Sequence, residues 1–166
     1  MEFMGDIESI MSGKTCVVGM GNYYRCDDAV GLYIVDTMTD NVSSERISII
    51  NVEDVLESYL FKIAELNCDR VLIIDAVQTE SPSGSVIFGK IDDLDDVIQN
   101  ISTHKLSLKL CGNILEQYNK ETYLLGIEAD TTDFGVGISQ EVRKSADMIV
   151  DLLVRAINCS PKGVYQ

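Results

Sequence analysis

Apolar residues in this chain follow two patterns. Short β-branched or aliphatic runs stop at turn residues, and longer stretches repeat apolar side chains at helical spacing. Lys14–Met20 (KTCVVGM) is a run of the first kind that ends at glycine, and Asp28–Met38 is of the second, with Ala29, Val30, Ile34, Val35 and Met38 on one face. The same alternation continues with a strand at Ile47–Val52, a helix at Asp54–Leu66 and a strand at Arg70–Val77 (RVLIIDAV) that is apolar on both faces, as central parallel strands are. Ser85–Ile91 follows the turn Ser-Pro-Ser-Gly so closely that it predicts an antiparallel partner. Beyond an acidic loop, Asp92–Asn100, come a helix at His104–Asn119 with Leu108, Cys111, Leu115 and Tyr118 inward, a strand at Thr122–Glu128 and a helix at Ser139–Ile157 capped by Ser139.

Strands alternating with helices predict the α/β class: a three-layer α/β/α sandwich around a mostly parallel, twisted five-stranded sheet with one antiparallel strand. Residues 14–158 form the expected single domain, preceded by a loosely ordered extension over 1–13 and followed by a tail over 159–166. In such sheets ligands bind beyond the carboxyl ends of the strands, near the switch point where connections leave for opposite faces. That rule selects the loops after Met20, Asp75 and Glu128.

Composition narrows the function. Thirteen basic residues against twenty-seven acidic ones give a net charge of −14, which disfavours nucleic acid and anionic membranes as partners. Met1–Gly13 carries acids where a signal peptide carries a basic flank, and no apolar run reaches membrane-spanning length, so the expectation is a cytoplasmic protein without membrane insertion. Five cysteines without a CxxC pair read as reduced thiols, and the sequons at Asn41, Asn100 and Asn158 then carry no weight.

The stretch GMGNYYRCDDAVG (19–31) opens like a phosphate-binding turn but lacks the third glycine of the dinucleotide fingerprint, and Asp27 and Asp28 would repel an anion at the helix N-terminus. One of these acids can serve as a helix cap and the other in the first turn. Asp75 closes an apolar strand, where a buried carboxylate needs a cation or strong donors; bonding to backbone amides of the next loop is the structural alternative. If strands one and three are neighbours, Asp75 and Asp28 converge. His104, the single histidine, is expected in the first turn of its helix, where the dipole disfavours the imidazolium and leaves a lone pair for a metal. Two carboxylates and a neutral imidazole suit a borderline divalent ion such as nickel or zinc better than calcium. Cys111, seven residues along the same predicted helix and so about 10.5 Å of rise from His104, is too far for proton transfer. Cys26, beside the aspartates, is expected to line the site as a thiol. There is no GxSxG elbow.

Taken together, GMGNYYRCDDAVG, LIIDAV, STHKLSL and LLGIEADTTDFGVGIS resemble, in order and spacing from Thr15 to Leu153, the maturation endopeptidases of nickel–iron hydrogenases. The resemblance implies a single-domain, aspartic-type endopeptidase that removes a C-terminal tail from the hydrogenase large-subunit precursor after nickel insertion. It puts the metal-contacting and catalytic positions on Asp28, Asp75 and His104. The nickel is implied to arrive with the precursor, with zinc or cadmium able to substitute in vitro. Asp27 is left to capping. The glycine-bearing loop Asp130–Gly137 is expected to move to admit the tail. Two alternatives stand beside this reading: a non-catalytic module that binds the nickel centre, and a hydrolase of the peptidyl-tRNA hydrolase kind.

Overall fold

The computed structural model describes residues 2–94 and 105–159, with side chains described over 3–94 and 108–159. The strands are β1 (Thr15–Met20), β2 (Ile47–Glu53), β3 (Arg70–Val77), β4 (Val86–Lys90) and β5 (Glu121–Glu128). The helices are α1 (Glu2–Ser12), α2 (Val30–Asn41), α3 (Leu56–Glu65), α4 (Lys105–Gln117) and α5 (Gln140–Asn158), and short 3-10 turns occupy Cys26–Ala29 and Asp92–Leu94.

The sheet order is β2-β1-β3-β5-β4, with β4 antiparallel to β5 and the remaining pairs parallel. The close-coupled strand after the Ser-Pro-Ser-Gly turn is thus antiparallel, as its short connection requires. The inner strands β1, β3 and β5 are almost wholly buried, whereas the edge strands β2 and β4 are half-exposed. Alternate residues of β3 feed two cores. Leu72, Ile74 and Ala76 join α1, α2 and α5 on one face, and Val71 and Ile73 join α3 and α4 on the other. This is the expected three-layer sandwich.

The N-terminal segment departs from expectation. Of the expected loosely ordered extension over 1–13, the described part is ordered: Glu2–Ser12 is helical, and Ile7, Ile10 and Met11 are at most 2 % exposed within the core beside α2 and α5. The carbonyls at the end of α1 accept hydrogen bonds from elsewhere: Ser9 O from Arg70 Nη1 at 3.0 Å, Ile10 O from Thr15 Oγ1 at 2.5 Å, and Met11 O from Arg46 Nη1. Arg46 Nη2 also donates to Ile157 O at 2.6 Å, joining the ends of α1 and α5. Distant arginines supply the C-terminal donors that the helix's own last turn lacks. The inward position predicted for Tyr118 is also corrected. α4 ends at Gln117, Asn119 turns the chain with φ 62°, and Tyr118 is 47 % exposed.

Glycines set how closely helix and sheet approach. A Cβ on Gly31 would lie 2.3 Å from Ile74 O and 2.5 Å from Met20 O, so α2 begins directly against the carboxyl ends of β1 and β3. Only a residue without a side chain permits that contact.

Candidate functional site

β1 and β3 are adjacent, with Gly19 paired to Ile74, and the helices that follow them lie on opposite faces of the sheet: α2 after β1 on one face, and α4, which comes after β3 and β4, on the other. The crevice between them is the switch point. Asp75 stands one residue past the last β1–β3 pair and is 0 % exposed. Its Oδ1 accepts the N–H of Ala76, the next residue within β3, at 2.8 Å. Asp75 lies on the same face of β3 as Val71 and Ile73, the face covered by α3 and α4.

Asp28 reaches this edge through the turn that follows β1. Gly21 has φ +147°, and a Cβ there would lie 1.9 Å from Asp28 O, so the turn closes only with glycine. Asn22 Oδ1 accepts from Tyr24 N at 2.9 Å, and Asn22 O from Arg25 N at 3.2 Å. Asp28 N then bonds Arg25 O at 3.0 Å inside the 3-10 turn, and the residue is 7 % exposed. Both predicted aspartates therefore lie buried at the carboxyl edge, Asp28 in the turn between β1 and α2 and Asp75 within the last residues of β3. The expected third member, His104, lies outside the described residues; the described helix begins at Lys105. α4 places Leu108, Cys111 and Leu115 in the same core as Val71 and Ile73. Its C-terminal end is anchored at the amino edge, where Lys120 N bonds Leu115 O at 3.0 Å just before β5. Among the described residues, no group of three or more His, Cys, Asp or Glu side chains could by itself hold a metal ion.

Asp27 is 0 % exposed and caps a helix, though not its own. Oδ1 accepts from Ser139 N at 2.7 Å, and Oδ2 from Asp130 N at 2.8 Å, Thr131 N at 3.3 Å and Ser139 Oγ at 2.8 Å. It thereby satisfies the N-terminus of α5, and the Ser139 hydroxyl, predicted to cap that helix, donates to Asp27 instead. Further bonds run from Cys26 N to Gly135 O (3.0 Å), Gly135 N to Tyr24 O (2.9 Å), Asp27 N to Thr131 O (3.1 Å) and Arg25 Nε to Thr132 O (3.1 Å). Loop 130–137, read from its glycines as movable, is fastened to the glycine turn along most of its length.

Glu128 was not singled out in the sequence beyond ending a strand. It is buried, and its carboxylate accepts from Thr79 N at 2.8 and 3.0 Å and from Thr79 Oγ1 at 2.5 Å, tying down the loop after β3. The signal that marked Asp75, an acid closing an apolar strand, would have found it.

The surroundings are apolar and open. Tyr23, Tyr33, Asp36, Val136 and Arg143 line a cleft of about 540 Å³ whose wall includes Ala29, the neighbour of Asp28. Tyr24 and Val136 on its lining are 69 and 82 % exposed, Phe134 in the same loop as Val136 is 83 % exposed, and Arg25 stacks on Phe134 at 4.9 Å. The Tyr23 phenol is pushed above its ordinary range by burial and by its 2.6 Å bond to Asp36, and Tyr33 by its 2.5 Å bond to Asp147 and then by burial. Both are neutral walls. Cys26 is half-buried against Gly135, where a Cβ would lie 2.8 Å from its Sγ. Cys111 is buried, and burial pushes its thiol up to about 12, which makes it inert at neutral pH, as its distance along the helix had implied.

A family model described as hydrogenase maturation protease matches residues 32–156, beginning four residues beyond Asp28. A Methanocaldococcus jannaschii protein carrying the provisional name hydrogenase maturation protease is 31 % identical over 153 residues, covering 87 % of this chain and 88 % of its own. The crystal structure of a NiFe hydrogenase maturation protease, HycI, from Thermococcus kodakarensis superposes with a TM-score of 0.81 at 23 % identity, covering 92 % of this chain and 99 % of that one. The hydrogenase maturating endopeptidase HybD from Escherichia coli superposes at 0.75 with 20 % identity, over 87 % and 92 % of the two chains. These two likenesses establish the α/β fold.

Proposed function

The chain belongs to the hydrogenase maturation protease family, and from that premise we propose that it removes the C-terminal tail of a nickel–iron hydrogenase large-subunit precursor once nickel is in place. Family membership displaces the hydrolase of the peptidyl-tRNA hydrolase kind and the non-catalytic module. The observation that supports the finer reading is the burial of two carboxylates at the carboxyl edge, Asp28 in the 3-10 turn that follows β1 and Asp75 near the end of β3.

In this reading the nickel is part of the substrate. Asp28, Asp75 and His104 meet it with two oxygens and one nitrogen, a donor set suited to a borderline divalent ion. Docking the metal brings the adjoining peptide to the carboxyl edge. There the ion polarises the scissile carbonyl, and a carboxylate of the pair takes a proton from the attacking water. The exposed Tyr24, Phe134 and Val136 offer apolar contact to the precursor beside that point. No described helix is long and apolar enough to cross a membrane.

The test is incubation of purified protein with nickel-loaded and nickel-free precursors. Tail release is expected from the loaded form alone. Equal release from both forms would remove the metal from recognition, and binding without release would remove the cleavage step.

A further inference from the structure

We propose that Asp27 is a positioning residue for this reaction: its carboxylate registers loop 130–137 and the first turn of α5 on the 3-10 turn that presents Asp28. The inference rests on the reading of Asp28 as the residue that meets the precursor's nickel.

Capping its own helix, the role suggested by sequence, would use one hydrogen bond and leave the side chain near solvent. The structure instead buries Asp27 completely and surrounds it with three backbone N–H groups and one hydroxyl, all from residues more than a hundred positions away. A buried carboxylate is strongly unfavourable without such donors, and bonds to an ionised acceptor are the stronger kind. The main chain is held as well. Asp27 N is bonded to Thr131 O, Asp28 N to Arg25 O, and Asp28 O packs against Gly21. With its peptide fixed on both sides, Asp28 has only its side-chain torsions left to adjust. The apolar tip of the loop, Phe134 and Val136, is by the same bonds held at a set distance from Asp28.

Asp27→Asn separates positioning from mere support. Its amide has a single acceptor oxygen, so one N–H pair must face either Ser139 N–H or the Asp130 and Thr131 N–H groups, and the register is lost. The measurement is the ratio of affinities for nickel-loaded and nickel-free precursor, which is insensitive to the fraction of protein folded. In Asp27→Asn that preference should fall about 10- to 100-fold, the usual consequence of removing a partner that orients a metal-binding side chain, and approach the value for Asp28→Ala. Ser139→Ala, which removes the hydroxyl donor alone, should lower it less and carries the test if Asp27→Asn does not fold. Leu153→Ala loosens the core further along α5 and should lower Tm while keeping the full preference. Wild-type preference in both latch variants, with preference lost in Asp28→Ala, would overturn this inference alone. Absence of any preference in the wild-type protein would overturn it together with the nickel reading.

Discussion

Among the described residues, one lysine is buried at the amino edge of the sheet and four carboxylates at the carboxyl edge. Lys120 lies just before β5 with its Nζ donating to Leu66 O at 2.7 Å and Cys68 O at 2.8 Å, and around it Glu121 pairs with Arg70 at 3.2 Å and Lys90 at 3.1 Å. A cleft of about 300 Å³ opens there too, and Lys90 and Glu121 on its lining pair with each other. The carboxyl edge divides differently. Asp27 and Glu128 are enclosed by donors from other loops, so they fasten the structure as Lys120 does. Asp28 and Asp75 lie buried at the same edge, and they are the pair to which the proposed function assigns the precursor's metal. Burial of charge is therefore no mark of function by itself. What separates the two edges is sign and location: carbonyls wrapped around an ammonium complete an internal contact, whereas the proposed function gives two of the carboxylates at the strand ends a metal carried by a partner.

That contrast can be broken most directly at Asp75. Replacing it with alanine should slow tail release by about 10²–10⁴-fold, the scale of losing a positioned acid–base group, with circular dichroism and Tm reporting an intact fold. Cleavage at the wild-type rate would make the carboxyl edge as purely structural as the amino edge. Lys120→Met should do the reverse. It leaves two buried carbonyls without their charged donor and should lower unfolding free energy by about 1.5–3 kcal/mol in urea titrations, while cleavage per folded molecule stays unchanged. The smallest effect belongs to Glu121. Its carboxyl is held below the usual range by hydrogen bonds to Lys90 and then Arg70, but the group is half-exposed, and exposed pairs of this kind contribute about 0–1 kcal/mol. Because the folded-state pKa is depressed, its contribution is complete above the unfolded carboxyl range and disappears as pH falls through the folded value. Urea titration of Glu121→Gln should show a small deficit at neutral pH and none in acid; a deficit that persists in acid would assign the effect to packing.

Much of the carboxyl edge was legible along the chain because its signals are local. An acid closing the run Val71–Ile74 has to be partly buried if the run is a central strand, and Asp75 is. The glycines of the turn mark a place where backbone must approach backbone. The amphipathic pattern of α1 was equally present, in Phe3, Ile7, Ile10 and Met11 at helical spacing, but the acids among them read as an unanchored extension. Its anchors, Arg46 and Arg70, lie far downstream and gave no hint of their partners.

From β1 onward the order and kind of the described strands and helices, the antiparallel sense of β4 and most of the residues apolar enough to be inside were decided by the sequence alone, since each depends on neighbours within a few positions. Which acid would serve which purpose was decided only by folding. Asp27 and Asp28 are adjacent and chemically identical, yet Asp27 is taken up by amides of the loop after β5 and of Ser139 before the last helix, while Asp28 is placed elsewhere at the same edge. That division comes from contacts between segments more than a hundred residues apart, and the local pattern of the chain carries no record of them.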